Sequence, residues 1–124
     1  MPMQKLRAAN FASFLDSPMA AVCFVRSGDI HSDVFLDRLA AQAGTDVAVG
    51  AVDVDVDADL AADFDVAAVP TLAVFKQRHL AFLEAGALEA AALRTVLDAV
   101  RSAPVPKTGN KAAKADAGLK KTRR

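Results

Sequence analysis

The chain predicts an α/β fold: a mixed central sheet with helices on both faces, in the order β-α-β-α-β-α-β-β-α. Three observations carry this expectation. Residues 20–25 form a continuous apolar run of strand length, as expected for a central strand covered on both faces. Segments with apolar residues at helical spacing alternate with such runs, which calls for right-handed crossovers onto a parallel core. Two further strands, 71–75 and 80–83, are separated by Gln77-Arg78-His79 and read as a hairpin that supplies an antiparallel edge.

Taken in order, residues 3–8 suit a short edge strand. Asn10 is a good helix N-cap, followed by Phe11, Phe14 and Leu15 on the apolar side of a short helix that stops at Ser17-Pro18. The buried strand comes next, and Arg26-Ser27-Gly28-Asp29 makes a loop. Ser32 or Asp29 then caps a helix reaching about Ala43, with Phe35, Leu36, Leu39 and Ala40 at helical spacing, and Gly44 ends it. Residues 47–54 form the third strand. Asp57 caps a brief helix whose apolar residues are Leu60, Ala61 and Phe64. Val69-Pro70-Thr71 leads into the next apolar run; the first residue of a strand can lack a ladder donor, so proline fits there. The final helix carries Leu88, Leu93, Val96, Leu97 and Val100 on one stripe, and Pro104 and Pro106 stop regular structure.

A chain of 124 residues suits one domain with a real core. Its 53% hydrophobic content excludes disorder over most of its length. No apolar run approaches the ~20 residues of a membrane span, and residues 1–10 do not read as a secretion signal. The single cysteine cannot form an internal disulfide, and a cytoplasmic location is the default expectation. The formal net charge of zero conceals a segregation. Residues 102–124 carry seven basic residues against Asp116, a net +6, which leaves −6 on the remainder. A folded domain over 1–101 and a disordered basic tail over 102–124 are therefore expected.

Val69-Pro70-Thr71, preceded by Ala51-Val52-Asp53-Val54-Asp55 and followed by Leu72 to Lys76 and then Gly86, resembles the C-terminal half of thioredoxin. The resemblance covers residues 4–101. Val22-Cys23-Phe24 is similar to the family's central strand, Leu39-Ala40 to its following long helix, and Gly86-Ala87-Leu88 to the entry of its last helix. From Leu39 to Gly86 the spacing runs without a gap. Between Phe24 and Leu39, where the redox motif belongs, the chain is a few residues shorter. The resemblance implies a thioredoxin fold and a cis bond between Val69 and Pro70, facing the redox site.

The family's chemistry needs a thiolate at a helix N-terminus, where backbone N–H groups and the helix dipole depress its pKa. A second thiol then resolves the mixed disulfide. Neither is present in Arg26-Ser27-Gly28-Asp29-Ile30-His31-Ser32-Asp33. Depending on where the gap is placed, Asp29 or Arg26 falls at the nucleophile's position and Ser32 or Asp29 at the resolving one. The chain also has no Trp, so the family's flanking aromatics are absent. Dithiol exchange by the monomer is excluded. Cys23, inside an apolar strand, reads as a small inert hydrophobe; the alternative is a monothiol oxidoreductase that uses Cys23 as its only nucleophile.

Other constellations favour simple readings. His31 beside Asp29, Ser32 and Asp33 invites a hydrolytic triad, yet triads are assembled from separate elements and helix capping explains the Ser and Asp residues. His79 reads as a hairpin surface residue, and Arg78 stands where the family commonly has a turn glycine. Asp53, Asp55, Asp57 and Asp59 are spaced like calcium ligands, but Ala58 and Phe64 occupy the positions that would need Gly and Glu. No metal site and no cofactor are expected. The tail could touch nucleic acid or an anionic lipid surface through charge, and it offers no aromatic residue for base stacking.

The function expected is a redox-inactive protein- or peptide-binding or assembly-assisting module. The resemblance implies that an extended partner pairs with backbone groups beside Pro70. Gly28, Asp29, Ser32, Val69, Pro70, Thr71 and Gly86 would line that groove.

Overall fold

A computed structural model describes residues 4–104. Nine elements follow one another: β1 (Gln4–Leu6), α1 (Ala8–Phe14), β2 (Met19–Val25), α2 (Ile30–Ala43), β3 (Ala48–Asp53), α3 (Ala58–Asp63), β4 (Thr71–Lys76), β5 (His79–Ala85) and α4 (Ala90–Ser102). The sheet order is β1-β3-β2-β4-β5. β3 lies parallel to both β1 and β2, whereas β4 runs antiparallel to β2 and to β5. This is the mixed sheet the sequence predicts, and it is the thioredoxin fold.

Every residue of β2 is buried because its side chains alternate between two cores. Ala20, Val22 and Phe24 enter one with Phe11 and Phe14 of α1 and Leu60 and Ala61 of α3. Met19, Ala21, Cys23 and Val25 enter the other with Phe35 and Leu39 of α2 and Leu93, Leu97 and Val100 of α4. The first core centres on Phe64, whose ring lies 5.7 Å from Phe11, 5.7 Å from Phe24 and 5.9 Å from Phe75. Burying each such ring or leucine stabilises the fold by about 1.5–3 kcal/mol. Gly50 of β3 lies where these layers approach closely: a Cβ there would stand 2.6 Å from Leu6 and 2.9 Å from Phe14.

Four local expectations are corrected. Asn10 is not the N-cap of α1. Arg7 holds that place, and Asn10 lies three residues on, its Oδ1 accepting from the Arg7 N–H at 2.8 Å. The helix starts early because Asp57 Oδ2 accepts the Ala8 N–H at 2.7 Å. Asp57 does precede α3, but its side chain makes no capping bond there; it caps the other helix instead. The hairpin turn has two residues, not three. Gln77 and Arg78 both take positive φ, 47° and 70°, as a type I′ turn requires. With no glycine, this turn is held from outside: Gln77 N–H donates to the Pro18 carbonyl at 2.8 Å and Arg78 Nη1 to the Ala12 carbonyl at 3.1 Å. Finally, Leu88 precedes α4 rather than belonging to it, though it packs on the same core.

Helix ends are closed by cations from other elements. Lys76 Nζ, at the end of β4, donates to the carbonyls of Val100, Arg101 and Ala103 at 3.0, 2.6 and 2.5 Å. Arg101 donates to the Ala43 carbonyl at the end of α2 and to Asp46. Both place positive charge where the helix dipole favours it.

Candidate functional site

The loop from Arg26 to Asp29 joins the C-terminal end of β2 to the start of α2, and its neighbours pin it down. Arg26 Nε donates to Asp55 Oδ2 at 3.0 Å, and hydrogen bonding by Ser27 holds the Asp53 carboxyl below its usual range. Gly28 takes φ +84°, with no atom where a Cβ would point. Asp29 is the N-cap of α2. Its Oδ2 accepts the Ser32 N–H at 3.1 Å and the Ser32 Oγ–H at 2.8 Å, and these bonds, the hydroxyl's first, hold the Asp29 carboxyl below the ordinary range. The Arg26 N–H reaches Ser32 Oγ at 3.4 Å.

Asp29 and Ser32 thus have the spacing of Cys-x-x-Cys at a helix N-terminus. Of the placements open in the sequence, Asp29 first and Ser32 second is the one that coincides with the cap. The electrostatic device that would activate a thiolate here binds a carboxylate. Ser32 is 0% exposed, with its hydroxyl committed to Asp29, and His31 lies exposed in the first turn of α2.

Cys23 is also 0% exposed. It stands opposite Ala51 of β3 and Leu72 of β4, and burial pushes its thiol up to about 12. A thiol with no charged neighbour to stabilise the thiolate is a poor nucleophile at neutral pH.

The Val69–Pro70 peptide is cis. Pro70 is buried, and its carbonyl accepts the Gly86 N–H at 2.9 Å, joining the two loops. Thr71 pairs with Phe24 and Ala85, is buried, and its Oγ1 donates to the Ala68 carbonyl at 2.6 Å. Ser32 and Thr71 therefore lie beneath the surface and brace it. No hydrogen bond among the described residues uses the Val69 N–H or C=O. Val69 is partly exposed and shares a pocket of about 270 Å³ with Arg26 and with Ala58, Ala61, Ala62 and Val66.

No sequence pattern marks that pocket, because alanines announce nothing. A second depression, of about 330 Å³, lies between the first turns of α2 and the segment entering α4. There Ile30 and Val34, 67% and 49% exposed, face Ala87 and Glu89. Two apolar residues four apart on the outer side of a helix were the available signal.

Of the four Asp residues from 53 to 59, Asp53, Asp55 and Asp57 engage protein donors. Asp53 Oδ1 accepts the Asp55 N–H at 2.8 Å, Asp55 pairs with Arg26 and Asp57 with Ala8. Among the described residues no group of three or more His, Cys, Asp or Glu side chains is arranged to hold a metal ion. Among them, too, no helix is long and apolar enough to cross a membrane.

A mixed five-stranded sheet with a cis-proline just before its fourth strand defines the thioredoxin-like class. The profile of the thioredoxin family matches residues 33–99, more than half of the chain, and the chain belongs to that family. The match begins one residue beyond Ser32. A mutant thioredoxin from Halobacterium salinarum NRC-1 superposes with a TM-score of 0.74 at 21% identity, over 83% of this chain and 93% of that one. Fasciola hepatica thioredoxin gives 0.70 at 23% identity, over 78% and 98%. The zinc-bound form of human ERp44 gives 0.70 at 18% identity, over 82% of this chain and 31% of that one. At these identities the likeness is one of fold. No curated protein matches the chain.

Proposed function

We propose that the protein is a redox-inactive thioredoxin-family module that binds an extended peptide or protein segment along the loop before β4. The observation that carries this reading is the Val69 backbone: an N–H and a C=O beside a cis-proline, with no partner among the described residues. An extended segment could add to them as a short strand does, with main-chain bonds providing affinity and neighbouring pockets specificity. In this reading Pro70 and Gly86, joined by their hydrogen bond, would form one wall and Gly28 and Asp29 the other, with Ser32 and Thr71 as braces. The Asp29–Ser32 pair where two thiols would be needed supports a role without dithiol exchange. Burial of Cys23 weighs against the monothiol alternative.

The same reading places the protein in the cytoplasm and divides it into a domain over 1–101 and a basic tail over 102–124. α4 runs one residue past that boundary, to Ser102; residues 105–124 lie outside the described residues. Partner capture or assistance in assembly fits a groove of this kind. The test is an NMR titration of the labelled full chain with extended peptides. Shifts centred on Val69 and Gly86 support strand addition, and binding that leaves both amides unmoved refutes it.

A further inference from the structure

The pocket beside Val69 fits a particular kind of side chain. Its volume of about 270 Å³ falls below the ~300–1,000 Å³ typical of small-molecule sites, and its walls include Ala58, Ala61 and Ala62 of α3 together with Val66. Small residues along one helix leave room for one branched aliphatic group from outside. The one charged residue lining it, Arg26, is already paired with Asp55.

The segment from the end of β3 through α3 carries one sign of charge. From Asp53 to Asp65 there are six Asp residues and no Lys or Arg. Asp53, Asp55 and Asp57 engage Ser27, Arg26 and Ala8. The side chains of Asp59, Asp63 and Asp65 have no hydrogen bond or ion pair among the described residues. Asp59 and Asp63 lie four apart on α3, each directly after a pocket-lining alanine. Like charges at that spacing disfavour the helix, and although the dipole at the start of α3 favours Asp59, no Lys or Arg side chain among the described residues pairs with either carboxylate. An incoming cation would.

We infer that the segment recognised here is a basic one: an extended peptide that inserts one aliphatic side chain into the α3 pocket and carries Lys or Arg beside it, facing Asp59 and Asp63. The inference rests on the strand-addition reading of Val69 and adds the chemistry of the partner. Complementary charge steers the encounter and rejects acidic competitors, most strongly at low salt, where the field is least screened.

The test uses the full-length protein, labelled for NMR, and two blocked peptides, Lys-Lys-Leu-Val-Lys-Lys and Glu-Glu-Leu-Val-Glu-Glu. The basic peptide should shift the Val69, Ala62 and Ala67 amides and bind about ten-fold or more tighter than the acidic one at low salt. Asp59→Asn with Asp63→Asn should erase most of that preference while leaving the fold intact. Ala62→Trp, which fills the pocket, should remove the advantage of Leu over Ala at the third peptide position. Equal binding of both peptides at Val69 overturns the charge assignment alone. Failure of every peptide to move Val69 overturns the strand-addition reading with it. Binding of the basic peptide only after Lys107, Lys111 and Lys114 are changed to Gln identifies the chain's own tail as the occupant and overturns the assignment to a separate segment.

Discussion

The Ser32 hydroxyl donates to the Asp29 carboxylate at 2.8 Å, across the same three-residue step that separates the two thiols of Cys-Gly-Pro-Cys. The helix start that elsewhere stabilises a thiolate stabilises a carboxylate here, and the serine beneath it holds that carboxylate in place. The scaffold of a redox site remains, with a hydrogen-bonded cap in place of the reactive pair.

That cap makes stability sensitive to acid. The carboxyls of Asp29 and Asp46 are lowered, chiefly by hydrogen bonds from Ser32 and from Arg101. A lowered folded-state pKa contributes stability that is present above the unfolded carboxylate value, about 3.9, and lost as pH falls through the folded values. Melting temperature should therefore be level above about pH 5 and decline below about pH 4. Ser32→Ala should move the Asp29 titration, followed by NMR, up toward the ordinary value.

Cys23 should behave as a core residue. With its thiol pushed from 9.0 to about 12, the thiolate population at neutral pH is roughly a thousandfold below that of an unperturbed thiol. Alkylation of native protein should be slow and should become rapid and stoichiometric on addition of denaturant. Fast labelling of the native state would restore the monothiol alternative.

Lys76 should matter more than a surface lysine. Its ammonium satisfies three carbonyls at the end of α4, so Lys76→Met should cost about 1–2 kcal/mol. Urea denaturation should show the loss as a lower midpoint at an unchanged slope.

Asp57 should stabilise α1 rather than α3. Asp57→Ala should cost about 1 kcal/mol, as loss of an N-cap acceptor does, and Asp57→Asn should retain most of it. Hydrogen exchange should quicken first at Ala8 and its neighbours.

What could be read in the sequence, and what could not, divides along the range of the interactions. The β2 run, the Phe35–Leu39 spacing in α2 and the Val69-Pro70-Thr71 loop are local patterns, and each led to the right element. The start of α1 was misplaced because its cap comes from Asp57, forty-nine positions away. The hairpin turn was read too long because Gln77 and Arg78 are held in positive φ by contacts with Pro18 and Ala12. Asp29 and Ser32 could be named as substitutes for thiols, but their mutual bond required the helix to begin at Ile30. The Val69 pocket could not be seen, since most of its lining is alanine, which leaves space without a pattern.

The central claim is most directly tested by insulin reduction with a recycling reductant, run on the native protein beside an Asp29→Cys, Ser32→Cys double variant. Native protein should give no turnover above the reductant alone, while the double variant, with two thiols on the same helix start, should gain activity. Turnover by the native protein that disappears in Cys23→Ala would contradict the assignment of a redox-inactive module.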